Sequence, residues 1–320
     1  MRLAADVVNF TAVDGIGEIA AGDDIAAIIA NMAELRDGDV VVVTSKIVSK
    51  SLGLSTMQDK LDLLAAQTDR IVACRDTTTI VRTHHGLTMA AAGIDSSNTL
   101  PGTLLPLPAN PDREARCIRT RLRHLTGRRV AIIISDTAGR AWRIGQTDIA
   151  IGCAGLVPVE SFAGRTDTHG LPLVVTAPAV ADEIAGAAEL ASGKLGGRPV
   201  VVVRGTPSHL LTEDDGPGAA ALVREESDDL FGLGARDAVL AALSAGGSLV
   251  RGFPNVRTDI ATLLRLSEIP DDLTVKASAE EVVIHSPVDL AVSAGMLAQR
   301  LAALATAHRV SLRVAVSVEK

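Results

Sequence analysis

Residues 130–148 read VAIIISDTAGRAWRIGQTD, and within them an apolar run gives way at once to a carboxylate, hydroxyls and arginines. Asp136 offers the hard oxygen donors that a divalent cation takes, while Arg140 and Arg143 suit phosphate or carboxylate. Asp136 and Arg143 are therefore the candidate catalytic residues. A polar turn after a strand is the plainer reading of one carboxylate, and the density of polar groups over so short a span tips the balance.

Two other places carry the same kind of chemistry. Ser45, Lys46 and Lys50 follow the valine run at 40–43, and hydroxyls with a lysine can hold phosphate, although no GxxxxGK[ST] is present. Taken alone, a solvated Lys-Ser turn fits those residues equally. Asp95, Ser96, Ser97 and Asn98 follow residues 87–92, a second place for a metal or nucleotide group, with an Asx or Ser/Thr turn as the competing reading. Residues 15–20, GIGEIA, formally match the dinucleotide fingerprint GxGxxG/A, which would make the chain an NAD(P)-dependent oxidoreductase. That fingerprint requires a helix starting inside the motif, whereas the cap signal here is Gly22-Asp23-Asp24. The acidic loop at 213–216 could supply a further ligand.

These residues need elements to hold them. Unbroken apolar runs at 40–43, 131–134 and 199–203 predict strands buried on both faces, and 173–176 reads as another. The run at 131–134 is expected to end abruptly at Ser135, leaving the polar groups at the strand's carboxyl edge. Helices are expected over 25–35, 58–73, 112–125 and 179–192, with strands at 6–11, 77–82 and 87–92. After a Gly-rich link at 246 the style changes to a helix near 258–266 and then β-β-α-β. The expectation is a mixed α+β fold with two domains, 1–245 catalytic and 246–320 a small extension.

Bulk properties narrow the function. The 320 residues carry a formal net charge of -7 and only 2% aromatics, which argues against nucleic-acid binding by backbone neutralisation or base stacking. Apolar windows such as 238–250 are broken by Ser and Gly short of the roughly 20 residues a membrane span needs. Three scattered cysteines without CxxC spacing point to buried thiols in a reducing compartment, and the expected location is cytoplasmic.

Taken in order, GDVVVVTSKIVSK, AAAGIDSSN, SDTAGRAWRIGQTD, VADEIAGAAEL with a following GK, and VVVVRG resemble the coenzyme F420-0:L-glutamate (gamma-glutamyl) ligase family over residues 8–235. The resemblance implies a two-lobed subunit in an intertwined homodimer, with GTP and two Mg2+ or Mn2+ ions, and K+ as a further ion. It implies an amide bond between L-glutamate and F420-0, then a gamma-linked second glutamate. A related ligase with another acceptor acid fits the same motifs. Carried over by position, nucleotide contacts fall on Ile16, Gly17, Glu18, Ile19, Ser45, Lys50 and Asn98, and more loosely on Asp214, Asp215 and Gly216. Metal ligands fall on Asp95, Asp136 and Thr137. Gly17 stands where the family usually has proline, which should loosen that turn. The chemistry is coherent: a carboxylate acylates poorly until a nucleotide converts it to an acyl phosphate, a step that needs charge neutralisation at the phosphates.

Overall fold

Valine and isoleucine runs build the central sheet. Strands β1 (Asn9–Ala12), β2 (Val40–Thr44), β6 (Ala131–Gly139), β7 (Gln146–Ala154) and β8 (Val200–Arg204) form five strands in the order β1-β8-β2-β6-β7. β2 and β6 are parallel, and every other pairing is antiparallel. The structure, a computed structural model, describes residues 7–97, 99–225, 228–229, 231–243, 258–278 and 280–319.

The runs are unbroken because both faces are covered. Val41, Val43, Ile132 and Ile134 pack with Ile29 of α1 (Ile25–Met32) and with Ile118 and Leu122 of α4 (Pro111–Thr126). Val40, Val42, Ile133 and Val201 face Ala181, Ile184 and Ala185 of α5 (Val180–Ser192). The sequence signals at α4 hold closely: Asn110 accepts from the Arg113 amide at 2.9 Å, Pro111 opens the first turn, and Gly127 closes the helix at φ 69°. Asp182 and Glu189, seven residues apart on one face of α5, accept from the outward amides of Ala150 and Asp148 at 2.8 and 3.1 Å. They thereby cover the edge of β7.

Asp112 ties three segments together. Its carboxylate accepts from the amides of Cys153 at 2.8 Å, Ala219 at 2.7 Å and Ala220 at 3.2 Å. Gly218, at φ 82°, lets the chain come this close, since a Cβ there would lie 2.5 Å from the Asp112 carboxyl. Asp112→Ala leaves the amide of the buried Cys153 without its acceptor, so a loss of about 2–3 kcal/mol in a urea melt is expected. A loss within experimental error would mean that water replaces the carboxylate.

Several expectations need correction. β6 does not stop at Ile134 but runs on through Asp136 to Gly139, because β7 continues to pair with it. Residues 45–51 are not a solvated turn but helix α2 (Ser45–Ser51). The expected helix at 58–73 is half helix and half strand: α3 (Lys60–Gln67) buries Leu63 and runs directly into β3 (Thr68–Arg75). β3 pairs with β4 (Thr78–Thr83), and β4 pairs with β5 (Thr88–Ala90), in a separate three-stranded sheet. Residues 173–176 form no strand; Val174 and Val175 are 73% and 90% exposed, since no neighbouring strand pairs with them.

The chain divides into two compact units at 223/224, ahead of the expected boundary at 245, which lies outside the described residues. α6 (Ala235–Leu243) belongs with the second unit, where it packs on α8 (Ala291–Ala307). That unit also holds α7 (Ile260–Leu266), β9 (Thr274–Ala277), β10 (Glu281–Pro287) and β11 (Arg313–Glu319), and so contains the expected β-β-α-β run. Its helical stretch Val288–Ala307 has the length and apolar content to cross a membrane, contrary to the window reading. The fold gives it another use, as the crossover between parallel β10 and β11, with Leu297 and Leu301 in the unit's core.

Candidate active site

Because β2 and β6 run parallel, their carboxyl ends reach the same edge of the sheet, with Thr44 opposite Ser135. The next residue on each chain is Ser45 and Asp136, and the Ser45 hydroxyl donates to Asp136 Oδ1 at 2.8 Å. Asp95 arrives on a third segment. Ala91, Ala92 and Gly93 are all left-handed (φ 49°, 55° and 70°), and this turn reverses the chain after β5. The two alanines cost about 1 kcal/mol each in this conformation. Leu107 encloses the turn, so that a Cβ on Gly93 would meet its Cδ1 at 2.7 Å. Asp95 then accepts from Lys46 Nζ at 2.6 Å and from the Ser97 amide at 2.6 Å.

Electrostatics set the two carboxylates apart. Burial works to raise Asp95, yet the hydrogen bonds from Lys46 and Ser97 outweigh it and hold the group below its ordinary value. Burial pushes Asp136 up to about 7; the Ser45 hydroxyl opposes this, and the nearby charges of Asp148 and Asp95 add to it. Three carboxylates sharing one field is an arrangement that a cation relieves. The linkage is direct: Asp136 stabilises the fold fully only below the ordinary value of 3.8, and that contribution is lost as pH rises through about 7. Melts in chelator are therefore expected to show Asp136→Asn gaining on the parent protein steadily from pH 4 to 8. A constant difference across that range refutes the assignment.

Neighbouring residues on a strand point to opposite faces, so Thr137 leaves the Asp136 side for the α5 side. There its hydroxyl donates to Asp148 Oδ1 at 2.7 Å, and the Ser135 hydroxyl reaches Asp148 Oδ2 at 3.0 Å. Lys194 Nζ donates to Thr137 Oγ1 at 2.8 Å and pairs with Glu189. Lys46 was singled out from sequence only as a phosphate-binding lysine, and Asp148, Glu189 and Lys194 were not given a role at all. Asp148 closes the 130–148 motif, while Glu189 and Lys194 lie in AEL and GK, where only the packing of α5 reveals their aim.

The other expected residues divide. Ile16 and Ile19 are buried in the core with Val48 of α2, leaving Gly17 and Glu18 outward. Glu18 pairs with Lys50, and the Gly22 amide reaches the Ser51 carbonyl at 2.8 Å, so this turn lies against α2. The rival dinucleotide reading loses its basis, because α1 begins at Ile25 beyond the motif, capped by Asp24. Asn98 lies outside the described residues. Asp215 is committed elsewhere: it pairs with Arg119 at 2.9 Å, and its carbonyl takes the Gly155 amide at 2.8 Å. Gly155 follows Ala154, which faces Ile132 at the amino end of β6, about 13 Å of strand from Asp136. Gly216, at φ 71°, has Leu156 O 3.0 Å from where a Cβ would stand. Asp214 caps Gly216 locally at 3.1 Å. Arg143 lies exposed in the β6–β7 hairpin tip and is not brought to Asp136 within this chain.

Among the described residues no three His, Cys, Asp or Glu side chains gather as a metal cluster. Asp95 and Asp136 with the Ser45 hydroxyl form an all-oxygen donor set on one face, while Thr137 offers its hydroxyl on the other. That suits Mg2+ or Mn2+, ions that use one or two carboxylates and complete their shell with phosphate and water.

Residues 15–205 match the family described as F420-0:Gamma-glutamyl ligase. The chain is 35% identical over 250 residues to the coenzyme F420:L-glutamate ligase of Methanothermobacter thermautotrophicus, covering 70% of this chain and 98% of that one. It is 37% identical over 231 residues to the enzyme of the same name from Methanopyrus kandleri, covering 66% and 92%. A third, from Methanosarcina mazei, is 39% identical over 215 residues, covering 61% and 84%.

Proposed function

The chain belongs to the F420-0:gamma-glutamyl ligase family, and from that premise we propose that it joins L-glutamate to coenzyme F420-0 by an amide bond in F420 biosynthesis, at the expense of GTP. A second glutamate then follows through a gamma linkage. One observation carries the reading: three distant segments bring together the pairs Ser45–Asp136 and Lys46–Asp95, near enough for the charge of Asp95 to act on Asp136.

In this reading Asp95, Asp136 and Thr137 would hold two Mg2+ or Mn2+ ions, with K+ as a further ion. When bound, these neutralise the triphosphate and make its terminal phosphoryl transferable. The outward backbone at Gly17 and Glu18 lines the nucleotide beside Lys50. Lys46, already within reach of Asp95, places a point charge where phosphate oxygens would lie. The acceptor carboxylate takes the terminal phosphoryl and GDP leaves; the glutamate amine then attacks the acyl carbon, phosphate leaves, and the amine proton goes to solvent. The active form is a homodimer; Trp142 and Ile144, 88% and 100% exposed at the hairpin tip that carries Arg143, support an intersubunit contact there.

Incubation with GTP, Mn2+, L-glutamate and the zero-glutamate cofactor is expected to yield products heavier by one and two glutamyl residues in a mass spectrum. GTP with Mn2+ should also raise the melting midpoint, and NAD(H) should not. Unchanged cofactor together with stabilisation by NAD(H) would return the dinucleotide reading.

A further inference from the structure

The Thr137 half of the site already contains a positive charge of its own. Lys194 sits just past the end of α5, its Nζ on Thr137 Oγ1 at 2.8 Å, paired with Glu189 and 3.7 Å from Asp148 Oδ1. Thr137 has one proton and two lone pairs. The proton goes to Asp148, and Lys194 takes a lone pair, so the hydroxyl oxygen cannot serve a divalent cation well while the ammonium stays. Lys194 is nonetheless loosely held: its side chain is 60% exposed, and Gly193, Gly196 and Gly197 flank it, Gly193 and Gly197 with φ of 65° and 62°. On the other face Lys46 pairs with Asp95, but Asp136 itself takes the neutral Ser45 hydroxyl and no ammonium.

We propose that Lys194 is a tethered stand-in for the second cation: its ammonium occupies the Thr137 position, and a divalent ion enters there only by displacing it. The inference rests on the function proposed above and makes the two faces unequal. The first ion goes between Asp95 and Asp136, where Lys46 pairs with Asp95 from the side and no ammonium sits on Asp136 itself. The second binds more weakly, because it must expel a charge of the same sign and leave Lys194 close by.

The test titrates the full chain with MnCl2 alone and counts free Mn2+ by electron paramagnetic resonance. The parent protein is expected to show one tighter and one weaker ion. Lys194→Met is expected to tighten the weaker one about tenfold, while Lys194→Arg, which keeps the charge, leaves it within about twofold of the parent. A purely structural lysine predicts the reverse, a lower melting midpoint in Lys194→Met with unchanged or weaker Mn2+ binding, and that result overturns the proposal. If Lys194→Met fails to fold, Lys194→Gln is titrated with the same expectation. Asp136→Asn separates this idea from its premise. Loss of the tighter ion there with no change in Lys194→Met sinks the stand-in role alone, whereas Mn2+ binding indifferent to Asp136 sinks both.

Discussion

Asp136→Ala is expected to fold normally and, on the mechanism proposed above, to lose ligase activity by roughly 10^2- to 10^3-fold, the effect of removing one preorganised group. Normal folding follows from the surroundings of the residue. Its carboxylate is enclosed, lies in the field of Asp148 and Asp95 and is pushed up to about 7, so removing it relieves repulsion and leaves the Ser45 hydroxyl and the Thr137 amide to find other partners. A melting midpoint at or above that of the parent protein, with product absent from the mass spectrum, is the expected pair of results. A folded variant with parental turnover would remove Asp136 from the mechanism.

Arg204→Ala is expected to do the opposite, costing about 3–5 kcal/mol of stability while the folded fraction keeps its kcat. Asp39 is only 1% exposed, and Arg204 clamps it with two parallel hydrogen bonds of 2.8 and 2.7 Å. The Arg36 amide adds another at 2.8 Å, and Arg204 also reaches the Glu34 carbonyl at 3.0 Å. Removing the guanidinium leaves a buried carboxylate without its counter-charge, for a fall in melting midpoint of roughly 10 °C in a unit of this size. Arg204→Lys should recover only part of it, because an ammonium cannot reproduce the fork. A fall of under about 1 kcal/mol in Arg204→Ala would show that water reaches Asp39. Together the two variants separate the chemical end of the sheet from its structural end.

What the sequence made legible were features written locally. The valine and isoleucine runs announced strands covered on both sides, and Asn110-Pro111 with Gly127 bracketed α4. Asp95, Asp136, Ser45 and Lys50 stood out because each polar group follows an apolar run. Features written in tertiary contacts were hidden. Ser45–Ser51 carries little helical signal and folds as helix because Ile47 and Val48 reach the core. Leu63, not Leu61, is the buried leucine of α3, and the strand after it is decided by pairing with β4. Glu189 became visible only once α5 was laid along the edge of β7, and Asp215 proved to be Arg119's partner for the same reason: its neighbours are remote in sequence.

One irregularity in the β6–β7 pairing has a wider effect. Ile134 faces Gly152, but Ser135 faces Ala150, so Ile151 is left over. Were the ladder in step throughout, Asp148 would stand opposite Ala138 and hence on the side of the sheet that carries Asp136. The single surplus residue shifts the phase of the outer hairpin by one tooth. It sends the two anions to opposite sides of the same ribbon, Asp148 to the Ser135 and Thr137 hydroxyls and Lys194, and Asp136 to Ser45, where a regular ladder would have set both on one side.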